Sequence, residues 1–390
     1  MTLQDIINLI NEDDVKDLTK KLVNIPSTYS DGEYEICQFL YEELNSLGFS
    51  SKITEVQNNR PNLVSEFSGG SEDFTFMFNG HLDVVPPGNI DLWDNDPYDC
   101  FEKDSKLYGR GTTDMKGGLA AMIIAMKAFI NSNNEFDGKI IFTGVMDEER
   151  TGLGAKTIVD SGIQANACVV GEPSNGKICR AQKGTMWFDI NTKGISKHAS
   201  QLTLDDSENA IYKMSKIITA LHELNHTLFQ TKHDLVGHST INIGKIYGGV
   251  QENIVPDNCK ASIDLRLLPG DNPNKIIDGV VTHLKRSGID SDDFEINIKH
   301  VRESAIIPET ELIVSKTCEA IESVKGTKSQ ISGMHATTDM SFFTNIAKIP
   351  TVILGPGKIE DAHTVDESID ILELHDMTKI YTALLYSLFK

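Results

Sequence analysis

In the stretch NGHLDVVPPG, residues 79–88, His81 and Asp83 stand two residues apart, just after the apolar run FTFMF. An extended backbone turns alternate side chains to the same side, so the carboxylate can hold the imidazole in one tautomer, as happens behind many metal-ligand histidines. A loop histidine beside a capping aspartate is the rival reading, and an isolated H-x-D favours it. Acidic and histidine residues recur, however, at the ends of other apolar runs. Asp114 lies in YGRGTTDMKGG ahead of a helical stretch, Glu148 and Glu149 follow IIFTGVMD, Glu172 follows ACVV, and His363, in EDAHTVDE, follows TVIL. Each arrives on its own strand-and-loop unit, so one cleft could receive them all. Two histidines with three carboxylates match the ligand set of a pair of divalent metals sharing one bridging carboxylate. Without cations such a cluster repels itself. One of the adjacent glutamates can bind metal while its neighbour, pointing the other way along the loop, handles a proton. Taken singly, Asp114 could be a helix cap, and Glu148 and Glu149 a solvated charge run with Asp147; the joint pattern argues against both.

The elements that must position these residues are legible from periodicity. From Phe74 to about Ser174, β-rich runs alternate with helical or glycine-rich stretches: FTFMF, KGGLAAMIIAMKAFI, KIIFTGVM and ACVVGEPS. This order predicts a three-layer α/β domain with a mostly parallel sheet, in which function gathers beyond the carboxyl ends of the strands. From about Arg180 the texture changes to MWFDINTKG, a helical DSENAIYKMSKIITALHELNH, STINIGKIYGG, CKASIDLRLLP, a helical NPNKIIDGVVTHLKRSG and FEINIKHV. That β-α-β-β-α-β order is the ferredoxin-like unit. After about Val301 the first texture returns. The expected organisation is an α/β domain in two parts, residues 1–179 and 301–390, with an α+β domain, residues 180–300, inserted between them.

Composition narrows the function classes. The 390 residues include 36 Lys plus Arg against 57 Asp plus Glu, a formal charge of -21, with no dense basic run. Nucleic acid and anionic membranes are therefore poor partners. The acidic N-terminus lacks the form of a signal peptide, and the longest apolar run, LAAMIIAM, is too short to span a bilayer, so a cytoplasmic location is expected. Six scattered cysteines, without a C-x-x-C pair, read as reduced and structural.

The ordered motifs GHLDVVPPG, LYGRGTTDMKGG, VMDEERTGLGAK, VVGEPS, KHAS and DAHTVDE resemble the cocatalytic zinc hydrolases that include succinyl-diaminopimelate desuccinylase, acetylornithine deacetylase, aminoacylase and glutamate carboxypeptidase. The resemblance runs from about Asn79 through nearly all the rest of the chain. It implies that His81, Asp114 and Glu172 bind one metal, that Asp114, Glu149 and His363 bind the other, and that Asp114 bridges. It makes Glu148 the general base, Asp83 the residue that orients His81, and His198 a group that polarises the scissile carbonyl, usually across a dimer interface. Asn253 and Arg266, in GGVQENIVPDNCKASIDLR, match positions that contact the acyl group and a substrate carboxylate. Gly333 and Thr338, in GMHATTD, fall in a substrate loop. Arg110, Arg150, Arg180 and Arg266 lie within or beside these motifs, although the chain favours lysine over arginine.

By this resemblance the chain is expected to be a zinc-dependent amidohydrolase or metallopeptidase of amino-acid biosynthesis. It would hold two divalent ions, zinc or alternatively cobalt or manganese, and pair as a homodimer through the inserted lid domain. The expected substrate is a small N-acyl amino acid; the alternative is a carboxypeptidase or dipeptidase acting on short peptides. A non-catalytic binding protein on the same fold fits less well, because it would not need Glu148 beside the metals. Gln182 and Lys183 stand where desuccinylases of this kind tend to carry paired arginines, and Ser341 where they carry another, which counts against a substrate with several carboxylates.

Overall fold

The computed structural model describes residues 1–71, 73–132, 135–202 and 208–390. The chain forms two units: Met1–Arg180 with Ile306–Met334 and Thr338–Lys390, and Ala181–Ala305 with residues 335–337. Part of the GMHATTD segment, expected in the closing domain, thus clusters with the middle of the chain.

The first unit is built on a nine-stranded sheet in the order Ser50–Gln57, Arg60–Ser68, Lys139–Val145, Thr75–His81, Ala167–Val170, Thr351–Ile353, Ile178–Gln182 and Ala305–Ile306, with Ile331–Met334 pairing to Ile178–Gln182. Four strands at its centre, Lys139–Val145, Thr75–His81, Ala167–Val170 and Thr351–Ile353, are mutually parallel. They are buried throughout apart from Thr75 and Lys139 at their starts, so they read as continuous apolar runs. The sheet as a whole is mixed rather than mostly parallel. Ser50–Gln57 and Arg60–Ser68 form an antiparallel hairpin whose turn, Asn58 and Asn59, is too short for a parallel crossover. The hairpin then pairs antiparallel with Lys139–Val145. These two strands were missed because polar residues interrupt their apolar ones, exposed on the edge strand Ser50–Gln57 and buried, as Arg60, Asn62 and Ser65, on the inner strand Arg60–Ser68.

Helices Glu12–Val23, Gly117–Asn131, Leu312–Lys325 and Ile371–Phe389 pack on one another, while Tyr34–Ser46 packs on the hairpin. Gly117–Asn131 is buried over nearly its whole circumference, which explains its lack of a polar face. Ile371–Phe389 starts sharply because the Asp370 carboxylate accepts from the peptide N–H groups of Leu372 and Glu373. A small antiparallel sheet, in the order Ser368–Asp370, Lys106–Tyr108 and Phe101–Lys103, brings the two ends of this unit together.

The second unit has a four-stranded antiparallel sheet in the order Thr240–Gly248, Asn258–Leu267, Gly184–Lys193 and Phe294–Arg302. Helices Ala210–Leu228 and Pro273–Arg286 join these strands in the expected β-α-β-β-α-β order. Their apolar stripes and the inner sheet face form a core that includes Phe188, Ile190, Met214, Leu221, Ile263 and Leu284. Asn209 and Asn272 cap the two helices. The first helix was expected from Asp206; Asp206 and Ser207 lie outside the described residues. Among the described residues no helix is long and apolar enough to cross a membrane.

Candidate metal centre

The parallel strands determine where the chemistry collects. His81 ends one of them, Glu148 and Glu149 follow Val145, and Glu172 follows Val170, so three neighbouring strands deliver their side chains at the same carboxyl edge. Asp114 comes from the glycine-rich loop before the buried helix. Two glycines make that approach possible. Gly111 has φ +87°, where a Cβ would also lie 2.7 Å from the Val84 side chain. A Cβ on Gly118 would lie 2.4 Å from the carbonyl oxygen of Gly171, which lets the helix start press against the strand end carrying Glu172.

Asp114 sits between the two histidines. Its Oδ1 is 2.9 Å from Nε2 of His81, and its Oδ2 is 3.3 Å from Nε2 of His363. His363 also lies 3.0 Å from Oε2 of Glu149, and His81 lies 3.7 Å from Oε1 of Glu172. Ligand atoms of His81, Asp114 and Glu149, and likewise of His81, Glu148 and Glu172, lie within 4.8 Å of one another. The structure therefore brings together all five residues expected as metal ligands together with Glu148. The adjacent glutamates sit in a turn closed by Thr151 and Gly152 N–H on the Asp147 carbonyl oxygen, Glu149 reaching toward His363 and Glu148 toward His81 and Glu172.

The donor chemistry suits divalent cations. Nδ1–H of His81 donates to the carbonyl oxygen of Asp83 at 2.8 Å, so Nε2 can face the Asp114 carboxylate only as a second N–H donor or as a ligand sharing a cation with it. Among the described residues no lysine or arginine is ion-paired to Asp114, Glu149 or Glu172. Burial, and then the Asp114 charge, push the Glu172 carboxyl well above its usual range and raise that of Glu149. Burial opposes charge on His81, yet Glu172 and Asp114 hold its pKa well above the ordinary value. Hydrogen bonds to Asp114 and Glu149 raise His363 to about 10. Left to themselves, these groups keep protons that a pair of divalent ions would displace.

The carboxylate of Asp83 does not do what its spacing suggests. Its Oδ1 lies beside the ring, 3.7 Å from Nδ1 of His81, too far for a hydrogen bond. The backbone carbonyl of Asp83 orients the ring instead. The carboxylate, 2% exposed, reaches across to the next strand's loop and accepts from the peptide N–H groups of Glu148 and Glu149, each at 3.1 Å. Asp147 is buried too, not solvated. Arg60 donates to it at 2.8 Å and to Glu33 at 2.9 and 2.5 Å, clamping the loop that carries both glutamates. Sequence reasoning missed Arg60 and Glu33, which no motif contains. It also assigned no role to Glu367, although the DAHTVDE motif includes it.

In the second unit His198 and Asn253 are neighbours. Both are exposed, and Ala199 N–H donates to the Asn253 carbonyl oxygen at 2.9 Å. His198 Nδ1 accepts from Ser200 N–H at 3.2 Å, so in the neutral ring Nε2 carries the proton. Arg266 is held by Asp264 through a two-point contact, Nε and Nη2 each donating at 2.9 Å. In the first unit Gly333 lies in the strand Ile331–Met334, and buried Thr338 accepts from Met340 N–H at 3.2 Å.

The α/β sheet and the cluster of histidines and carboxylates at its strand ends suit a metal-dependent hydrolase. Residues 77–387 match peptidase family M20/M25/M40, and the chain belongs to that family and hydrolyses amide bonds. It is 28% identical over 393 residues to a succinyl-diaminopimelate desuccinylase of Acinetobacter baylyi, covering 97% of this chain and all of that one. It is 29% identical to an acetylornithine deacetylase of Aliivibrio salmonicida over 94% of this chain and 95% of that one. Among solved structures, an M20 metallo-carboxypeptidase of Sulfolobus solfataricus superposes with a TM-score of 0.80 at 20% identity, over 96% of this chain and 99% of that one.

Proposed function

We propose that the chain is a dinuclear metal-dependent hydrolase that cleaves the amide of N-acyl amino acids, as its deacetylase and desuccinylase relatives are named for doing. The observation that carries this reading is the Asp114 carboxylate, which offers one oxygen to each of two histidines within a buried carboxylate cluster. His81, Asp114 and Glu172 would hold one ion and Asp114, Glu149 and His363 the other, with zinc the first choice and cobalt or manganese the alternatives. Bound divalent ions supply Lewis acidity, polarising the scissile carbonyl and acidifying water. Glu148 takes the proton from the attacking water and passes it to the leaving amine. Asp83 aims both glutamates through their peptide N–H groups.

The same reading makes residues 180–300 a lid and dimerisation domain between the catalytic parts 1–179 and 301–390. His198 then donates from Nε2–H to the developing oxyanion, a role supported by its tautomer and by the family resemblance. If His198 of the partner subunit completes each site, mixing inactive Glu148→Ala and His198→Ala chains restores activity. Half of the dimers are mixed and each has one working site of two, so recovery should reach about a quarter of wild type. No recovery once tagged heterodimers are demonstrated would show that His198 acts within its own chain or not at all.

Arg266, braced by Asp264, keeps its Nη1 edge for a substrate carboxylate, and Asn253 is the proposed acyl contact; Gly333 and Thr338 belong to the substrate loop. Arg266→Lys should raise KM roughly tenfold for substrates with a free carboxylate and much less for their amides, because an ammonium lacks the planar fork. Equal losses on both would make Arg266 structural.

The test of the function is a panel of N-acetyl and N-succinyl amino acids and dipeptides, assayed with added zinc, cobalt or manganese. Fastest turnover is expected on an N-acyl amino acid. A consistent preference for dipeptides would replace this reading with that of a dipeptidase or carboxypeptidase using the same centre.

A further inference from the structure

The loops carrying Asp114 and His363 run side by side because Ser368–Asp370 pairs antiparallel with Lys106–Tyr108, Ser368 opposite Tyr108. Arg110 lies four residues before Asp114 on one loop, and Glu367 lies four residues after His363 on the other. The two meet in the interior, 2% and 1% exposed, with Arg110 Nη1 2.5 Å from Glu367 Oε2. The second oxygen of Glu367 accepts from the peptide N–H groups of Thr113 at 2.9 Å and of Asp114 itself at 3.1 Å. Arg110 is anchored in turn, its peptide N–H donating to Pro97 O at 2.8 Å and its guanidinium lying 5.1 Å from the centre of the Trp93 ring.

A buried ion pair contributes little net stability over apolar side chains of similar shape, so its value here is sought in position. His363 needs such help. Its side chain is 51% exposed and its backbone is left-handed, at φ +62°, so packing alone holds it loosely. His81, by contrast, is 1% exposed at the end of a central strand.

We propose that Arg110 and Glu367 are positioning residues that fasten the His363 loop to the Asp114 loop, and that they set the affinity of one half of the centre selectively. This rests on the dinuclear reading above. Glu367→Gln leaves an oxygen for the Thr113 and Asp114 N–H groups but turns an amide toward Arg110, so it unhooks the strap while sparing the Asp114 backbone anchor.

The experiment is zinc titration of the metal-free protein against a competing chelator, with metal per chain counted and thermal midpoints of the metal-free forms recorded. Wild type should take up two ions. Glu367→Gln should keep one at near wild-type affinity and bind the other roughly 10–100-fold more weakly, the usual effect of losing a residue behind the ligands. Arg110→Lys keeps both charges and serves if the glutamine variant does not fold; it should weaken the same ion by a smaller factor. A merely structural pair would lower the metal-free midpoint while leaving both affinities unchanged, or weaken both alike, and either result in a folded variant overturns the proposal. Wild-type protein that binds fewer than two ions would instead overturn the dinuclear reading.

Discussion

Glu148→Gln should keep its metal and lose turnover by roughly a hundredfold to ten-thousandfold, the range removed when a positioned general acid-base is deleted. The geometry makes this a sharp comparison with its neighbour. Both glutamates are held by one carboxylate, Asp83 Oδ1 to the Glu148 peptide and Oδ2 to the Glu149 peptide, each at 3.1 Å. A single amide substitution therefore changes the chemistry at one side chain without moving the other. Glu149 contacts His363 at 3.0 Å, so Glu149→Gln should weaken metal retention instead. Steady-state kinetics with elemental analysis of each purified variant separates the cases. Because the Glu148 carboxylate also lies within ligand distance of His81 and Glu172, the opposite outcome has a definite meaning. Metal loss in Glu148→Gln and metal-replete inactivity in Glu149→Gln would exchange the two roles.

Stripping divalent ions with a chelator should abolish hydrolysis altogether, and adding them back should restore it. The pH dependence of rebinding follows from the protons that the metal-free centre keeps. Glu172 is raised by burial, His81 is raised by its carboxylate neighbours despite burial, and His363 is raised to about 10 by its hydrogen bonds to Asp114 and Glu149, so each of them holds its proton more tightly than it would in water. Ligation requires these groups deprotonated, so each ion that binds expels protons. Apparent affinity should accordingly rise with pH through the neutral range and on toward about 10, where His363 loses its proton unaided. Calorimetric titrations in buffers of different ionisation enthalpy would reveal the released protons directly. A metal-free protein with full activity would remove the basis for the whole centre.

Most of the candidate cluster was legible in the sequence because its members follow apolar runs that have to be buried strands, and the ends of parallel strands converge; Asp114, on a glycine-rich loop before a helix, is the exception. His81, Glu148, Glu149 and Glu172 needed only local pattern and that rule. The inserted unit was equally legible, since its alternation of strand and helix is determined by periodicities within short windows. The antiparallel hairpin before residue 69 was not, because neither strand alternates cleanly: the edge strand Ser50–Gln57 is mostly polar, and the inner strand Arg60–Ser68 buries the polar residues Arg60, Asn62 and Ser65.

What local pattern could not contain is partnership between distant loops. Asp83 looked like the support for His81 by its carboxylate; its backbone carbonyl makes that contact, and the carboxylate finds the peptides of residues 148 and 149 instead. Asp147 looked like a surface charge until Arg60 and Glu33 arrived to bury it. Arg110 and Glu367 are 257 residues apart in the chain and meet only because two short strands pair. A residue's type and its neighbours in sequence determine which chemistry it can perform and which element it can join. Which charge compensates it once water is excluded depends on what the fold packs against it, and only the tertiary structure decided that.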